Sequence, residues 1–356
     1  MNKMNYQVIG MMSGTSLDGI DLCYVHLQYQ EQGWKAQIKR GETIPYSPMW
    51  EQRLREAVLM SSSEVAVLNV EYTQLLVEVF NDFIARNQLV GIDAICSHGH
   101  TVFHRPELGY TLQIGNLPEL ARGTQQLVVC DFRVQDVLLG GQGAPLVPMG
   151  DLLLFADYDG CLNLGGFANL SFTADSGKRL AFDIVAVNTV LNHYANSCGL
   201  AYDDRGTRAR KGQIDVPLLT ALNQLEFYDL PAPKSLGIEM VHATLLPMID
   251  QANLPLEDRL CTFVEHVALQ IAKAIPASCR SILATGGGVY HDYLIERLRV
   301  HRPLLDVVIP AAEQINYKEA LVFALLGVLK LENQINVLAS VTGASTNHSS
   351  GRIFHP

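Results

Sequence analysis

The first residues that could do chemistry lie in the run Gly10-Met-Met-Ser-Gly-Thr-Ser-Leu-Asp-Gly-Ile-Asp21. Small residues let a backbone approach an anion closely. The N–H groups of the turn and the hydroxyls of Ser13, Thr15 and Ser16 can all donate to phosphate oxygens. Asp18 and Asp21 are out of place in a simple anion nest, but they fit a magnesium ion that accompanies the phosphates. An ordinary hairpin turn is the competing reading of the same spacing. No G-x-x-x-x-G-K-[ST] string occurs, which excludes P-loop nucleotide binding.

Two further glycine clusters stand at the ends of apolar runs. Asn163-Leu-Gly-Gly-Phe-Ala-Asn169 reads as strand, turn, strand around Gly165 and Gly166. Ala284-Thr-Gly-Gly-Gly-Val289 reads as a strand running into a helix, and Gly286, Gly287 and Gly288 could admit a base or ribose against the backbone. Asp183 follows the strand-like Arg179-Leu-Ala-Phe182 and precedes a helical pattern. A carboxylate at a strand's carboxyl end faces the crevice where α/β sheets bind ligands, and it suits a general base. Capping the following helix is its alternative role.

Three imidazoles crowd Ser97-His-Gly-His-Thr-Val-Phe-His104. Three such ligands could hold a metal, but H-E-x-x-H and an acidic partner are missing, so polar contacts to a sugar from a post-strand loop, or a plain loop, compete with that reading. Arg133, in Asp131-Phe-Arg133 before the glycine-rich Gly140–Pro148, could pair with a carboxylate or a hydroxyl-rich ligand. A surface ion pair is the alternative. The basic run Arg205, Arg208, Arg210, Lys211 reads as a solvated loop face.

The elements that must position these groups follow from hydrophobic periodicity. Strands are expected over Tyr6–Met12, Ile20–Leu27, Ala36–Arg40, Ile92–Cys96, Tyr110–Ile114 and Gln126–Cys130, with helices across about 50–87. The same grammar restarts with strands at Gly160–Asn163, Ala168–Phe172 and Leu180–Phe182, a helix near 187–197, and a strand at Ser281–Ala284. Further helices are expected at 215–226, 259–276, 289–299 and 317–331. This weak two-fold echo predicts two related α/β domains. No linker marks the boundary, which is placed near 131: residues 1–131 form the first domain and 132–339 the second, with the 340–356 tail, read as loop from Thr342 to Pro356, a candidate to pack on the first.

The chain's 356 residues are 48% hydrophobic and 17% charged, which is the profile of a folded globular protein. A net charge of −10 argues against nucleic-acid binding. The longest apolar run, Ala320–Leu329, is about half the ~20 residues a membrane span needs and reads as a buried helix. Without a signal-peptide pattern, and with scattered cysteines that read as buried free thiols, a cytoplasmic protein without a membrane segment is expected.

The three glycine motifs, in order, form the phosphate, phosphate and adenosine pattern of the actin-like ATPase and sugar kinase superfamily. Within it the chain resembles 1,6-anhydro-N-acetylmuramic acid kinases. The resemblance rests on Met12-Ser-Gly-Thr-Ser-Leu-Asp-Gly-Ile-Asp21, Ser97-His-Gly-His-Thr101, Thr111-Leu-Gln-Ile-Gly115, Asp131-Phe-Arg133, Gly140–Pro148, Asn163–Asn169 and Ser340-Val-Thr-Gly-Ala344. It implies two actin-like (ribonuclease H-like) domains facing a central cleft for nucleotide and sugar. ATP and Mg²⁺ would be used to open the anhydro bridge with water and phosphorylate O6, giving N-acetylmuramic acid 6-phosphate and ADP in peptidoglycan recycling. Gly14, Thr15, Ser16, Leu17, Asp18, Gly19, Ile20 and Asp21 would hold the phosphates, with Asp18 and Asp21 toward the metal and Gly165, Gly166, Gly286, Gly287 and Gly288 toward the nucleotide. Asp183 would be the catalytic base. His98, Arg133, Asn188 and Glu319 would contact the sugar, and a homodimer is implied. The chain departs from the family's usual D-x-G-P-x-N string with Asp183-Ile-Val-Ala-Val-Asn188, and a diverged amino-sugar kinase or a non-catalytic nucleotide-binding homologue are the alternatives.

Overall fold

The computed structural model describes residues 4–14 and 16–356. The chain forms two compact units, Met1–Leu154 with Tyr317–Pro356, and Phe155–Asn316. The division therefore falls after Leu154, not near 131, and the helical stretch from Tyr317 onward belongs to the first unit together with the tail. The physical reason is packing: residues 132–154 and 317–331 bury their apolar side chains within the first unit, as Val322 shows by lying where a Cβ on Gly150 would sit, 2.3 Å from its Cγ2.

Strands β1 (Asn5–Ser13), β2 (Ile20–Gln30), β3 (Gly33–Ile44), β4 (Ala94–Arg105), β5 (Tyr110–Ile114) and β6 (Val128–Cys130) lie in the first unit. Strands β7 (Gly160–Leu164), β8 (Phe167–Thr173), β9 (Arg179–Ala186), β10 (Ser281–Thr285) and β11 (Asp306–Val308) lie in the second, and β12 (Arg352–Phe354) returns to the first. The first sheet runs β12-β6-β4-β1-β2-β3, with β5 on β4; the second runs β11-β10-β7-β8-β9. In the first, β2 is antiparallel to β1 and β3, while β4 is parallel to β1 and β6. In the second, β8 is antiparallel to β7 and β9, while β10 is parallel to β7 and β11. With β5 and β12, both antiparallel additions to the first sheet, set aside, the two sheets repeat one order, third-second-first-fourth-fifth, in which the second strand alone is reversed. This is the duplicated ribonuclease H-like, actin-like arrangement that the echo predicts.

Helix Ser62–Arg86 shows why the first unit folds this way. Ser61 and Glu64 form a capping box at its start, which satisfies two orphan N–H groups. Val65, Leu68, Tyr72, Leu76, Phe80 and Phe83 recur every three or four residues and are buried with Ile9, Met11 and Leu22 of the sheet. Each such side chain contributes roughly 1.5–3 kcal/mol on burial. The run Ala320–Leu329 is buried on all sides within helix Ala312–Leu331. There β1 comes so close that a Cβ on Gly10 would stand 2.0 Å from the Ala320 carbonyl oxygen. No helix of the described residues is long and apolar enough to cross a membrane. Six cysteines are buried free thiols and Cys198 is exposed.

Two local expectations change. Residues 97–104 are strand, not loop, because β5 pairs antiparallel along β4 from His100 to Arg105. Gly99, at φ 73°, supplies the left-handed residue that the bend requires. The tail is not all loop, because β12 pairs with β6.

Candidate functional site

In the first unit the turn after β1 is closed by a 3.3 Å bond from the Leu17 N–H to the Gly14 carbonyl. Leu17 sits at φ 62°, a strained state for a branched side chain of the kind held at functional turns. Gly19 is required by packing, since a Cβ there would meet the Ile44 carbonyl oxygen at 2.6 Å. Ser16 Oγ donates to Asp18 Oδ1 at 2.7 Å, and Thr43 Oγ1 donates to Asp21 Oδ1 at 2.6 Å. Ile20 is buried at the start of β2. Thr15 lies outside the described residues. Burial raises the Asp21 carboxyl, the Thr43 bond opposes this, and the charge of Asp18 adds to it. A divalent cation would relieve the last effect. Two carboxylates with hard oxygen donors fit Mg²⁺, which takes one or two carboxylates and completes its shell with phosphate and water.

Arg133 is the hub of the other polar group in this unit. Its Nε donates to His98 Nε2 at 2.8 Å and its Nη1 to the Gly143 carbonyl at 2.7 Å. His98 Nε2 is therefore an acceptor, and Nδ1–H donates to the Gly99 carbonyl at 2.9 Å. Burial holds the His98 ring well below its usual range, and the Arg133 charge adds to this. Burial brings Arg133 down to about 10, against the pull of Glu319 and Asp136. It stays charged at neutral pH. Glu319 keeps an exposed surface, yet the protein crowded around it displaces enough water to raise its carboxyl, while Arg133 and Lys318 oppose the rise. His98 is thus hydrogen-bonded to Arg133, and Glu319 lies close enough to act on Arg133 through its charge.

The three histidines do not converge. His98 is held by Arg133, His100 Nδ1 lies 2.8 Å from Ser13 Oγ, and His104 Nδ1 lies 3.1 Å from Thr111 Oγ1. Among the described residues no group of three or more His, Cys, Asp or Glu side chains stands where it could hold a metal ion. Sequence reasoning missed what His100 does join: Ser13 Oγ is also 2.7 Å from the Tyr46 hydroxyl, which is 2.5 Å from that of Tyr72. Burial holds His100 down to about 4. This neutral chain anchors the last residue of β1, where the turn begins.

In the second unit Gly165 and Gly166 form the two-residue turn between β7 and β8. Their carbonyls accept from the start of helix Asn188–Asn196: Gly166 from Val187 at 2.8 Å, and Gly165 from Asn188 at 3.3 Å. Asn188 Nδ2 also donates to the Leu164 carbonyl at 3.4 Å. The third glycine cluster packs on the same turn. A Cβ on Gly286 would lie 2.7 Å from Asn163 Oδ1 and 2.8 Å from the Leu164 backbone, and one on Gly288 would lie 2.8 Å from Leu164 Cβ. Gly287 differs, because a Cβ there meets only Asn188 Nδ2, at 3.8 Å. Close packing explains Gly286 and Gly288; it does not explain Gly287.

Asp183 lies inside β9, which continues to Ala186. The N-cap of the next helix is Val187, with no side-chain cap, so the capping alternative fails. Val185 and Ala186, standing where the resemblance implies Gly-Pro, pair with Ala168 and Phe167 and carry the strand on. A bulge separates those pairs from Asn169↔Asp183, the kind of irregularity that re-aims a side chain. Asp183 Oδ2 accepts from the Leu236 N–H at 3.0 Å and from Ser235 Oγ at 3.2 Å. Burial raises this carboxyl, and the two hydrogen bonds oppose the rise. The register also aligns Thr285, Asn163, Asn169 and Asp183 across four strands. Sequence reasoning took the two asparagines only as the ends of a glycine motif; their equal spacing of three residues on either side of Gly166 was the available signal.

The two ribonuclease H-like units thus carry different turns, one acidic and bearing hydroxyls, the other walled by glycines, and the second unit also holds a raised carboxylate. The family model described as anhydro-N-acetylmuramic acid kinase matches residues 6–356. The chain belongs to the anhydro-N-acetylmuramic acid kinase family. It is 34% identical to the anhydro-N-acetylmuramic acid kinase of Saccharophagus degradans over 98% of each chain. It is 35% identical to that of Xanthomonas oryzae pv. oryzae, over 97% of this chain and 96% of the relative, and 32% identical to that of Synechococcus elongatus, over 98% and 99%. The departures at Val185 and Ala186 are therefore variations within an anhydro-N-acetylmuramic acid kinase framework spanning the chain.

Proposed function

We propose that the chain is an ATP-dependent kinase of 1,6-anhydro-N-acetylmuramic acid, working as a homodimer in the bacterial cytoplasm in peptidoglycan recycling. The observation that carries this reading is Asp183, a half-buried carboxylate with one oxygen held by Leu236 and Ser235 and a raised proton affinity. Kinases of free hydroxyls need a base for that hydroxyl; here the base acts on water. Asp183 takes a proton as the water oxygen bonds to the anomeric carbon, and the bond from that carbon to O6 breaks. O6 then attacks the γ-phosphorus of ATP, the bond to the β-phosphate oxygen breaks, and ADP leaves. The water side of this reaction resembles an inverting glycosidase, with O6 captured by phosphorus instead of by a proton.

Ser16, the turn N–H groups and Gly19 cradle the phosphates, and Gly165, Gly166 and Gly287 face the nucleotide. Mg²⁺ held by Asp18 and Asp21 would neutralise charge on the transferring phosphoryl group. For the sugar the assigned contacts are Arg133, oriented by His98, and Glu319 in the first unit, and Asn188 in the second. The test is ADP release measured with anhydro-N-acetylmuramic acid and with a panel of non-anhydro amino sugars. The account expects turnover with the anhydro sugar alone; preference for an open sugar would overturn it.

A further inference from the structure

The Ser340-Val-Thr-Gly-Ala344 segment takes no part in the roles above, yet Thr342 is 1% exposed and ends on a buried carboxylate. Thr342 Oγ1 donates to Asp136 Oδ1 at 2.7 Å, across a separation of 206 residues. The other oxygen of Asp136 accepts the Gly143 N–H at 2.6 Å. The carbonyl of that same Gly143 accepts from Arg133 Nη1 at 2.7 Å. Arg133 therefore rests on a residue whose N–H is held by Asp136, and Asp136 in turn is held by Thr342.

Three further contacts tie this set into one body. The Thr342 carbonyl accepts the Gln142 N–H at 2.8 Å, and Ser345 N–H donates to the Leu139 carbonyl at 3.0 Å. His348 Nε2 approaches Asp136 Oδ1 at 3.6 Å. A Cβ on Gly141 would stand 2.2 Å from Asp136 Oδ2, so the loop closes directly over the carboxylate. Charge-assisted bonds to a fully buried carboxylate are among the strong ones, and losing one partner there is costly.

We infer that Thr342 and Asp136 are positioning residues for the sugar step: through Gly143 they set the guanidinium of Arg133, so the C-terminal segment fixes sugar affinity without touching the sugar. The inference rests on the proposed role of Arg133. Thr342→Val keeps the shape and removes the donor, Thr342→Ser keeps the donor, and Arg133→Lys tests the underlying role. The expected result is a rise of about tenfold in KM for the anhydro sugar with Thr342→Val, with the KM for ATP within twofold of wild type and with recovery in Thr342→Ser. Asp136→Asn should show the same split. If Arg133→Lys raises the sugar KM and Thr342→Val does not, the positioning role is overturned and the role of Arg133 stands. If Arg133→Lys leaves the sugar KM unchanged, both fall. Equal changes in both KM values, or no recovery with Ser, would show a merely structural contact and overturn the inference.

Discussion

Arg133 Nε and His98 Nε2, 2.8 Å apart, form a bond that requires the imidazole to be neutral. Burial and the Arg133 charge already hold that ring well below its ordinary range. His98→Ala should leave the guanidinium with one fewer fixed partner and raise the sugar KM about tenfold. Steady-state kinetics with ATP saturating will show this, and no histidine-like step should appear in the wild-type sugar KM between about pH 6 and 8.

The pH dependence of turnover should report Asp183. A base must be unprotonated, and burial raises this carboxyl above its ordinary value, so kcat/KM should fall as pH drops through an inflection above the usual aspartate range. The sign for stability is opposite. A carboxyl raised in the folded state favours folding below its unfolded pKa, and that stability is lost as pH rises through the folded pKa. Asp183→Asn should therefore melt no lower than wild type at neutral pH, which thermal denaturation will test.

Gly286 and Gly287 should separate packing from nucleotide binding. Gly286→Ala drives a methyl into Asn163 and the Leu164 backbone at a left-handed φ of 83°, and should cost about 1–3 kcal/mol of stability. Gly287→Ala places its Cβ in ordinary contact with Asn188 Nδ2 at 3.8 Å, so it should fold normally and raise the KM for ATP severalfold. Melting curves and ATP titrations of both variants check the contrast.

Gly10→Ala tests the contact between β1 and the buried helix. The added carbon would overlap the Ala320 carbonyl, so the melting temperature should fall by several degrees, the equivalent of about 1–3 kcal/mol.

Much of this was legible in residue order. Alternation marked β1, β2, β7 and β8, and glycines marked both turns, because those signals are local. The loss of Asp183 from a strand end to a strand interior came from pairing with β8, which no local pattern reports. Ser97–His104 reads as a polar loop, yet its side chains find partners in Arg133 and Ser13, distant in sequence, and in Thr111 across the β4–β5 pairing. The division after Leu154 carries no linker composition. Contacts such as Thr342 with Asp136 or Ser13 with Tyr46 depend on tertiary folding alone.

The most direct test is ADP release by wild type and by Asp183→Asn, each with Mg-ATP and anhydro-N-acetylmuramic acid. The account predicts sugar-dependent release by wild type and a loss of about 10²–10⁴-fold in kcat for the variant, with ATP affinity retained. Near wild-type turnover in the variant, or ADP release indifferent to the sugar, would contradict it.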